Sequence, residues 1–292
     1  MKIAYLILCH RDPGQVSSLI SSLDTPDTSF YIHIDRKCPD FAVQEKNNIY
    51  VIPYRLREEI KWASKEMVIA TLKLIKAALD SPVQYDYIFL LSGQDYPLKS
   101  NADIITYLAA NKGANYIEMI SHDDPMYMRY RKRCDIFYPR FVLSSRKLLN
   151  GCKRLLIELT GGYTHTFRWA ARRSPYNTTF EFGSQWWCLT EECLKWIYNY
   201  IEEHRLILDY FDHANVPDEC LFQTVFAMSP YSSTRLDKLT YVDWDKTRRH
   251  PRILTSSDLR TLLNSGRLFA RKFDCSIDSD ITSMLEKERR RL

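Results

Sequence analysis

The chain has 292 residues, with 41 Lys and Arg against 36 Asp and Glu and a net charge of +5. At 45% hydrophobic and 26% charged it has the balance of a packed globular chain, with length enough for one large domain or two small ones and to bury roughly 75% of its unfolded surface. The longest unbroken apolar run, Ile3 to Cys9, is far below the ~18 residues of a membrane-spanning helix and no small-residue cleavage site follows it, so the expectation is a cytoplasmic chain without span or signal.

The first 120 residues alternate short β-branched or aromatic runs with segments of helical period, the pattern of an α/β fold with parallel strands and crossover helices. Strands are predicted at Ile3 to Cys9, Phe30 to Asp35, Ile49 to Pro53, Tyr87 to Ser92 and Asn115 to Ile120. Asp12-Pro13-Gly14 opens one helix. Ser64 opens another, in which Val68, Leu72, Ile75 and Leu79 mark one face of a 3.6-residue repeat, and Ser100 with Asp103 caps a third. From residue 121 the periodicity weakens while aromatic, basic and turn residues increase, which predicts a half of the same domain that builds pockets. Two helices stay visible there, Thr190 to His204 and Asp218 to Met228, the second introduced by Pro217.

The eight cysteines form no CxxC pair and sit mostly in apolar contexts, so they read as reduced core residues, and the seven histidines offer no zinc spacing. There is also no GxGxxG after a strand, no phosphate loop, no GxSxG and no HExxH, which argues against dinucleotide oxidoreductases, P-loop enzymes, α/β-hydrolases and zincins. Binding must then rest on side chains. Residues 129 to 173 hold twelve Arg or Lys against Asp135 and Glu158, a local balance of +10 suited to phosphates of a nucleic acid, an anionic lipid or a sugar diphosphate. Within it Leu148, Leu149, Cys152, Leu155 and Leu156 alternate with basic residues at helical spacing. That stretch reads either as a peripheral contact with an anionic membrane or as a core helix with a solvated basic face.

In open α/β sheets ligands bind beyond the carboxyl ends of the strands, where this sequence places His10 and Arg11, then Asp35, Arg36 and Lys37, then Ser92 to Asp95. Asp35 reads as a ribose or base contact or as a turn cap, and Asp95 as a site residue or a backbone buttress. Glu219, in the expected first turn after Pro217, is either a dipole-stabilised general base or simple helix stabilisation. Asp243-Trp-Asp245 has the form of a metal-binding D-x-D, followed by the basic residues Lys246, Arg248, Arg249 and Arg252. Arg271 and Lys272 sit in an aromatic frame where screening by water is weak.

In family order, Ala4 to His10, Tyr31 to Lys37, Trp62-Ala-Ser64, Ser92 to Lys99, Phe182 to Trp187, Pro217-Asp-Glu219 and Leu268 to Asp274 resemble the core-2/I-branching β-1,6-N-acetylglucosaminyltransferase family, which includes peptide O-xylosyltransferases and bacterial members. The resemblance implies a GT-A-like single domain, with a Rossmann-like nucleotide-binding half on a mixed sheet (1–120) and an acceptor and catalytic half (121–292). It implies a UDP-sugar donor, inversion, no divalent metal and no other cofactor, and a glycan or lipid-linked glycan acceptor. Glu219 then looks like the catalytic base, and Arg252 and Lys272 like the diphosphate cations, with Arg249 or Arg248 as alternatives to Arg252. His10, Asp35 and Arg271 join the donor site, and Tyr241, Trp244 and Trp186 are candidate acceptor contacts. On this reading the D-x-D is coincidental and its aspartates orient neighbouring basic groups or the acceptor. The donor is expected to be UDP-N-acetylglucosamine, with UDP-xylose as the alternative. A nucleic-acid-binding module stacking bases on Tyr127, Tyr130, Phe137 and Tyr138, and a catalytically silent carbohydrate binder, are the competing classes.

Overall fold

The structure, a computed structural model, describes residues 1–44, 46–61, 63–138, 155, 157, 159–160, 165, 172, 174–175, 178–244 and 250–291. In chain order its elements are β1 (Ile3–Cys9), α1 (Pro13–Leu23), β2 (Thr28–Ile34), β3 (Ile49–Val51), α2 (Lys65–Leu79), β4 (Tyr87–Ser92), β5 (Asp95–Pro97), α3 (Asn101–Ala110), β6 (Asn115–Tyr116) and α4 (Tyr127–Asp135). They continue with β7 (Cys188–Thr190), α5 (Glu191–Glu203), α6 (Arg205–Tyr210), α7 (Leu221–Met228), β8 (Arg235–Leu236), β9 (Thr240–Val242), α8 (Leu259–Leu263), β10 (Phe269–Arg271) and α9 (Asp280–Arg289).

Seven strands form a mixed sheet in the order β3-β2-β1-β4-β7-β6-β8. Its first four are parallel and β7 enters antiparallel to both β4 and β6, which is the α/β, mixed-sheet organisation expected of a GT-A-like domain. Period-two alternation sends opposite residues of β1 into different cores. Ala4, Leu6 and Leu8 pack with the stripe Val68, Leu72 and Ile75 of α2 and with α5 and α7. Tyr5, Ile7 and Cys9 face Val16 and Leu19 of α1 and, beyond them, Phe269 of β10. The spacing read for α2 is therefore its packed face, with Leu79 partly buried against the same core.

A second sheet, β5-β10-β9, lies against this other face. Tyr96, Ala270 and Tyr241 stand in register on one side of it, where they join a third core with Leu254 and Phe273. Asp95, Arg271 and Val242 form the adjacent row, which points to the opposite side. Among the described residues no helix is long and apolar enough to cross a membrane. The amphipathic run from Leu148 to Leu156 falls outside the described residues apart from Leu155, which is exposed. The described cysteines are all free thiols.

Candidate active site

The carboxyl ends of β1, β2 and β4 lie side by side, because Asp35 N–H donates to the Cys9 carbonyl at 2.9 Å and Gly93 N–H to that of Leu8 at 2.9 Å. Gly93 permits this close approach: a Cβ there would lie 2.8 Å from both Cys9 Cβ and Val16 Cγ2. Asp35 is buried, with Oδ1 accepting from Lys37 N–H at 2.9 Å and Oδ2 3.4 Å from Lys37 Nζ. The buttress reading of Asp95 also holds, since its Oδ2 accepts from Ser92 N–H at 2.9 Å.

Asp95 does more than buttress. Its Oδ1 lies 3.3 Å from Nε of Arg271, and the Arg271 guanidinium carbon lies 4.1 Å from the centroid of the Trp186 ring. Burial pushes the Asp95 carboxyl up to about 6, against the pull of Arg271, and it pushes Arg271 down, against the charges of Asp95 and Glu219. Lys272, next in the chain, is only partly buried, and among the described residues no carboxylate pairs with its ammonium. Burial lowers its pKa, and the nearby Arg271 and Arg11 lower it further. His10 is depressed the same way, by burial and then by Lys272 and Arg11. Arg11 is itself tied to Asp274 at 2.7 Å. Cations that raise one another's free energy in this way gain most from an anion placed among them.

The backbone that presents Lys272 is clamped on the side of Phe273. Phe273 N–H donates to the Gln94 carbonyl at 2.9 Å, while the side-chain amides of Gln94 and Gln15 donate to the Phe273 carbonyl at 3.1 and 3.2 Å. These buried amides tie the segment Ser92 to Lys99 to the segment Leu268 to Asp274.

Arg252 is placed differently. Its Nε donates to Asp243 at 2.7 Å, and Nη1 and Nη2 grip the two oxygens of Asp258 at 2.9 and 2.7 Å, so its pKa is raised by Asp258 and then by Asp243. The first aspartate of the D-x-D thus orients a neighbouring basic group. The segment still lies close to Lys272, whose carbonyl accepts from Leu254 N–H at 2.9 Å. Arg248, Arg249 and Asp245 lie outside the described residues. Tyr241 packs in the third core, on the side of the small sheet away from Arg271, so the aromatic expected there at the acceptor faces elsewhere. Trp244 is 53% exposed, whereas Trp186 stands in the site beneath Arg271.

Glu219 corrects one expectation. It ends a separate 3-10 turn, Pro217–Glu219, and α7 begins only at Leu221, so it is not in that helix's first turn. Cys220, at φ −138°, breaks the continuity, and Val216 enters the turn at φ 57°, a left-handed conformation that a β-branched residue adopts only when held there. What holds it is a hydrogen bond from Val216 N–H to the Ala63 carbonyl at 3.2 Å, which gives Trp62-Ala-Ser64 a structural role, although Trp62 lies outside the described residues. Two site residues escaped the sequence reading: Arg133 of α4, whose Nη1 donates to Glu219 Oε2 at 2.6 Å, and Asp218, a buried carboxyl pushed up to about 7 by burial and then by Glu219. The local +10 balance signalled Arg133 only as one of twelve basic residues.

Gly183 secures the same turn from the other side, donating to the Glu219 carbonyl at 3.1 Å. A Cβ at this position would sit 1.9 Å from the Glu118 carbonyl oxygen, which backbone cannot evade. Gly183→Ala is therefore expected to lower stability by about 1–3 kcal/mol, read as a fall in Tm, and to shift the Glu219 turn.

The Core-2/I-Branching enzyme family model matches residues 3–262. The chain belongs to that family. Its similar relatives include the mouse "Beta-1,3-galactosyl-O-glycosyl-glycoprotein beta-1,6-N-acetylglucosaminyltransferase 4", 26% identical over 99% of this chain and 67% of that protein. They also include rat xylosyltransferase 2, 22% identical over 98% of this chain but only 33% of that protein. Among solved structures, mouse xyloside xylosyltransferase 1 in its apo form aligns over 94% of this chain and 99% of its own, with a TM-score of 0.40 and 12% identity. As a member of this family the chain is a glycosyltransferase.

Proposed function

We propose that this glycosyltransferase moves a sugar from a UDP donor to a glycan hydroxyl by a single inverting displacement, with no divalent metal. The observation that carries the proposal is geometric: Gly183 N–H donates to the Glu219 carbonyl, and Trp186, three residues on, lies under Arg271, the neighbour of Lys272, whose ammonium pairs with no carboxylate among the described residues, which supports reading the candidate base and the cations as parts of one site. Asp35, buried at the carboxyl end of β2, is the uridine contact in this reading, and His10 and Arg271 border the diphosphate. Lys272 carries the main charge on the diphosphate, with Arg252 behind it, shared with Asp243 and Asp258. Trp186 offers the acceptor sugar an aromatic face.

In the reaction the acceptor oxygen bonds to the anomeric carbon as its proton passes to Glu219, and the bond from that carbon to the diphosphate oxygen breaks, with both electrons leaving on UDP. Negative charge grows on the diphosphate, where Lys272 and its neighbouring cations would supply the stabilisation a divalent ion otherwise gives. Asp243 supports this reading, because its carboxylate is engaged by Arg252. The name of the mouse relative favours UDP-N-acetylglucosamine as donor, and the xylosyltransferases keep UDP-xylose as the alternative.

A panel of both donors, with and without a β-1,3-galactosyl glycoside acceptor, tests the proposal. UDP should stabilise the protein against heat, and UDP release should proceed undiminished in excess EDTA. A strict requirement for added Mn²⁺ would refute metal independence, and turnover of neither donor would refute the UDP-sugar assignment.

A further inference from the structure

Arg133 and its chain neighbour Cys134 are held in place by four contacts besides the bond to Glu219. Its guanidinium carbon lies 4.2 Å from the centroid of the Tyr130 ring, three residues earlier on the same helix, which fixes the plane of the fork. The carbonyl of Arg133 accepts from Asn215 N–H at 2.9 Å, and that of Cys134 from the Tyr210 hydroxyl at 2.8 Å. The thiols of Cys134 and Cys220, each the chain neighbour of one member of the ion pair, hydrogen-bond at 3.4 Å. The end of α4 is therefore docked on the turn that bears Glu219, and the 2.6 Å bond follows from that docking. It engages only Oε2; among the described residues Oε1 accepts no hydrogen bond.

We propose that Arg133 is a positioning residue for Glu219, binding Oε2 so that Oε1 alone is turned to the acceptor hydroxyl and receives its proton. This rests on the reading of Glu219 as the base. A lone carboxylate on a short turn would spread its basic lone pairs over several rotamers, and proton transfer needs one oxygen within hydrogen-bond reach of one hydroxyl. Arg133 also supplies opposite charge beside two adjacent carboxyls, the second being Asp218, which is buried and whose Oδ1 has no partner among the described residues.

The test compares Arg133→Ala, Arg133→Met, Arg133→Lys and Glu219→Gln in the full chain, measuring UDP binding by calorimetry and UDP release from UDP-N-acetylglucosamine and from UDP-xylose. Arg133→Ala should lower kcat by about 10- to 100-fold while leaving the donor KM and UDP affinity within about twofold, the cost of a loosened rather than a missing catalytic group. Millimolar guanidinium should restore part of that kcat but none in Glu219→Gln, and Arg133→Lys should retain more than the alanine variant. Arg133→Met keeps the contact with Tyr130 without the donor, and it decides the matter if Arg133→Ala does not fold. Wild-type kcat in Arg133→Met, or a loss shared equally by UDP binding and unmoved by guanidinium, would overturn the proposal. Wild-type turnover by Glu219→Gln would instead overturn the reading beneath it, whereas an inactive Glu219→Gln beside unaffected Arg133 variants would sink only the positioning role.

Discussion

Glu219→Gln is expected to lower sugar transfer by about 10²–10⁴-fold, the contribution of a well-placed general base, while UDP affinity stays near that of the wild type. The amide keeps the shape of the carboxyl and can still accept from Arg133, so the turn from Pro217 and its hydrogen bond to Gly183 should persist. What disappears is the site for the acceptor's proton. Calorimetric UDP titration beside rate measurement separates the two: a large fall in affinity would show Glu219 acting on the donor, and an unchanged rate would remove it from the chemistry.

Lys272→Met is the second large effect, an expected loss of about 10²–10³-fold in kcat/KM, comparable to removing one fixed charge-stabilising group from a transition state. Methionine preserves much of the half-buried stem, so the change is mainly one of charge. Arg252→Met should cost turnover less, because that guanidinium is already matched by Asp243 and Asp258, and much of its cost should appear as lost stability in the 250–258 segment. A larger turnover loss at Arg252 than at Lys272 would reverse the assignment. The comparison is read most cleanly from UDP release at saturating donor together with the melting temperature of each variant.

The parallel half of the main sheet was legible because its residues obey one period at a time. Ile3 to Cys9 is buried on both faces and reads as a continuous apolar run, and Val68, Leu72 and Ile75 repeat at helical spacing because α2 covers one face. The caps of α3 and α5 were equally plain, with Ser100 accepting from Asp103 N–H and Thr190 from Cys193 N–H. The small sheet was not, since β5, β9 and β10 have three residues each and no period can be read from three positions. Nor does spacing reveal partners 86 positions apart, as Arg133 and Glu219 are. The break at Cys220 escaped for a related reason: Pro217 announces a helical turn but does not say whether the turn continues. The family motifs were recognisable as an ordered set, yet their physical roles emerged only where the chain brings Gln94 against Phe273 or Ala63 against Val216.

The knot of amides around Phe273 has a consequence for how the chain is made. Two of the hydrogen bonds of Gln15 reach Phe273 and Cys275, 258 and 260 positions further on, and Phe269 completes an aromatic group with Tyr5 and Phe89. A nascent chain on the ribosome would therefore form its first strands long before these partners emerge, leaving the Gln15 amide short of one acceptor and one donor and an apolar face uncovered. Residues 269 to 275 must emerge before this edge of the sheet can close, which makes the interval before they appear the period of greatest exposure to aggregation and to chaperones.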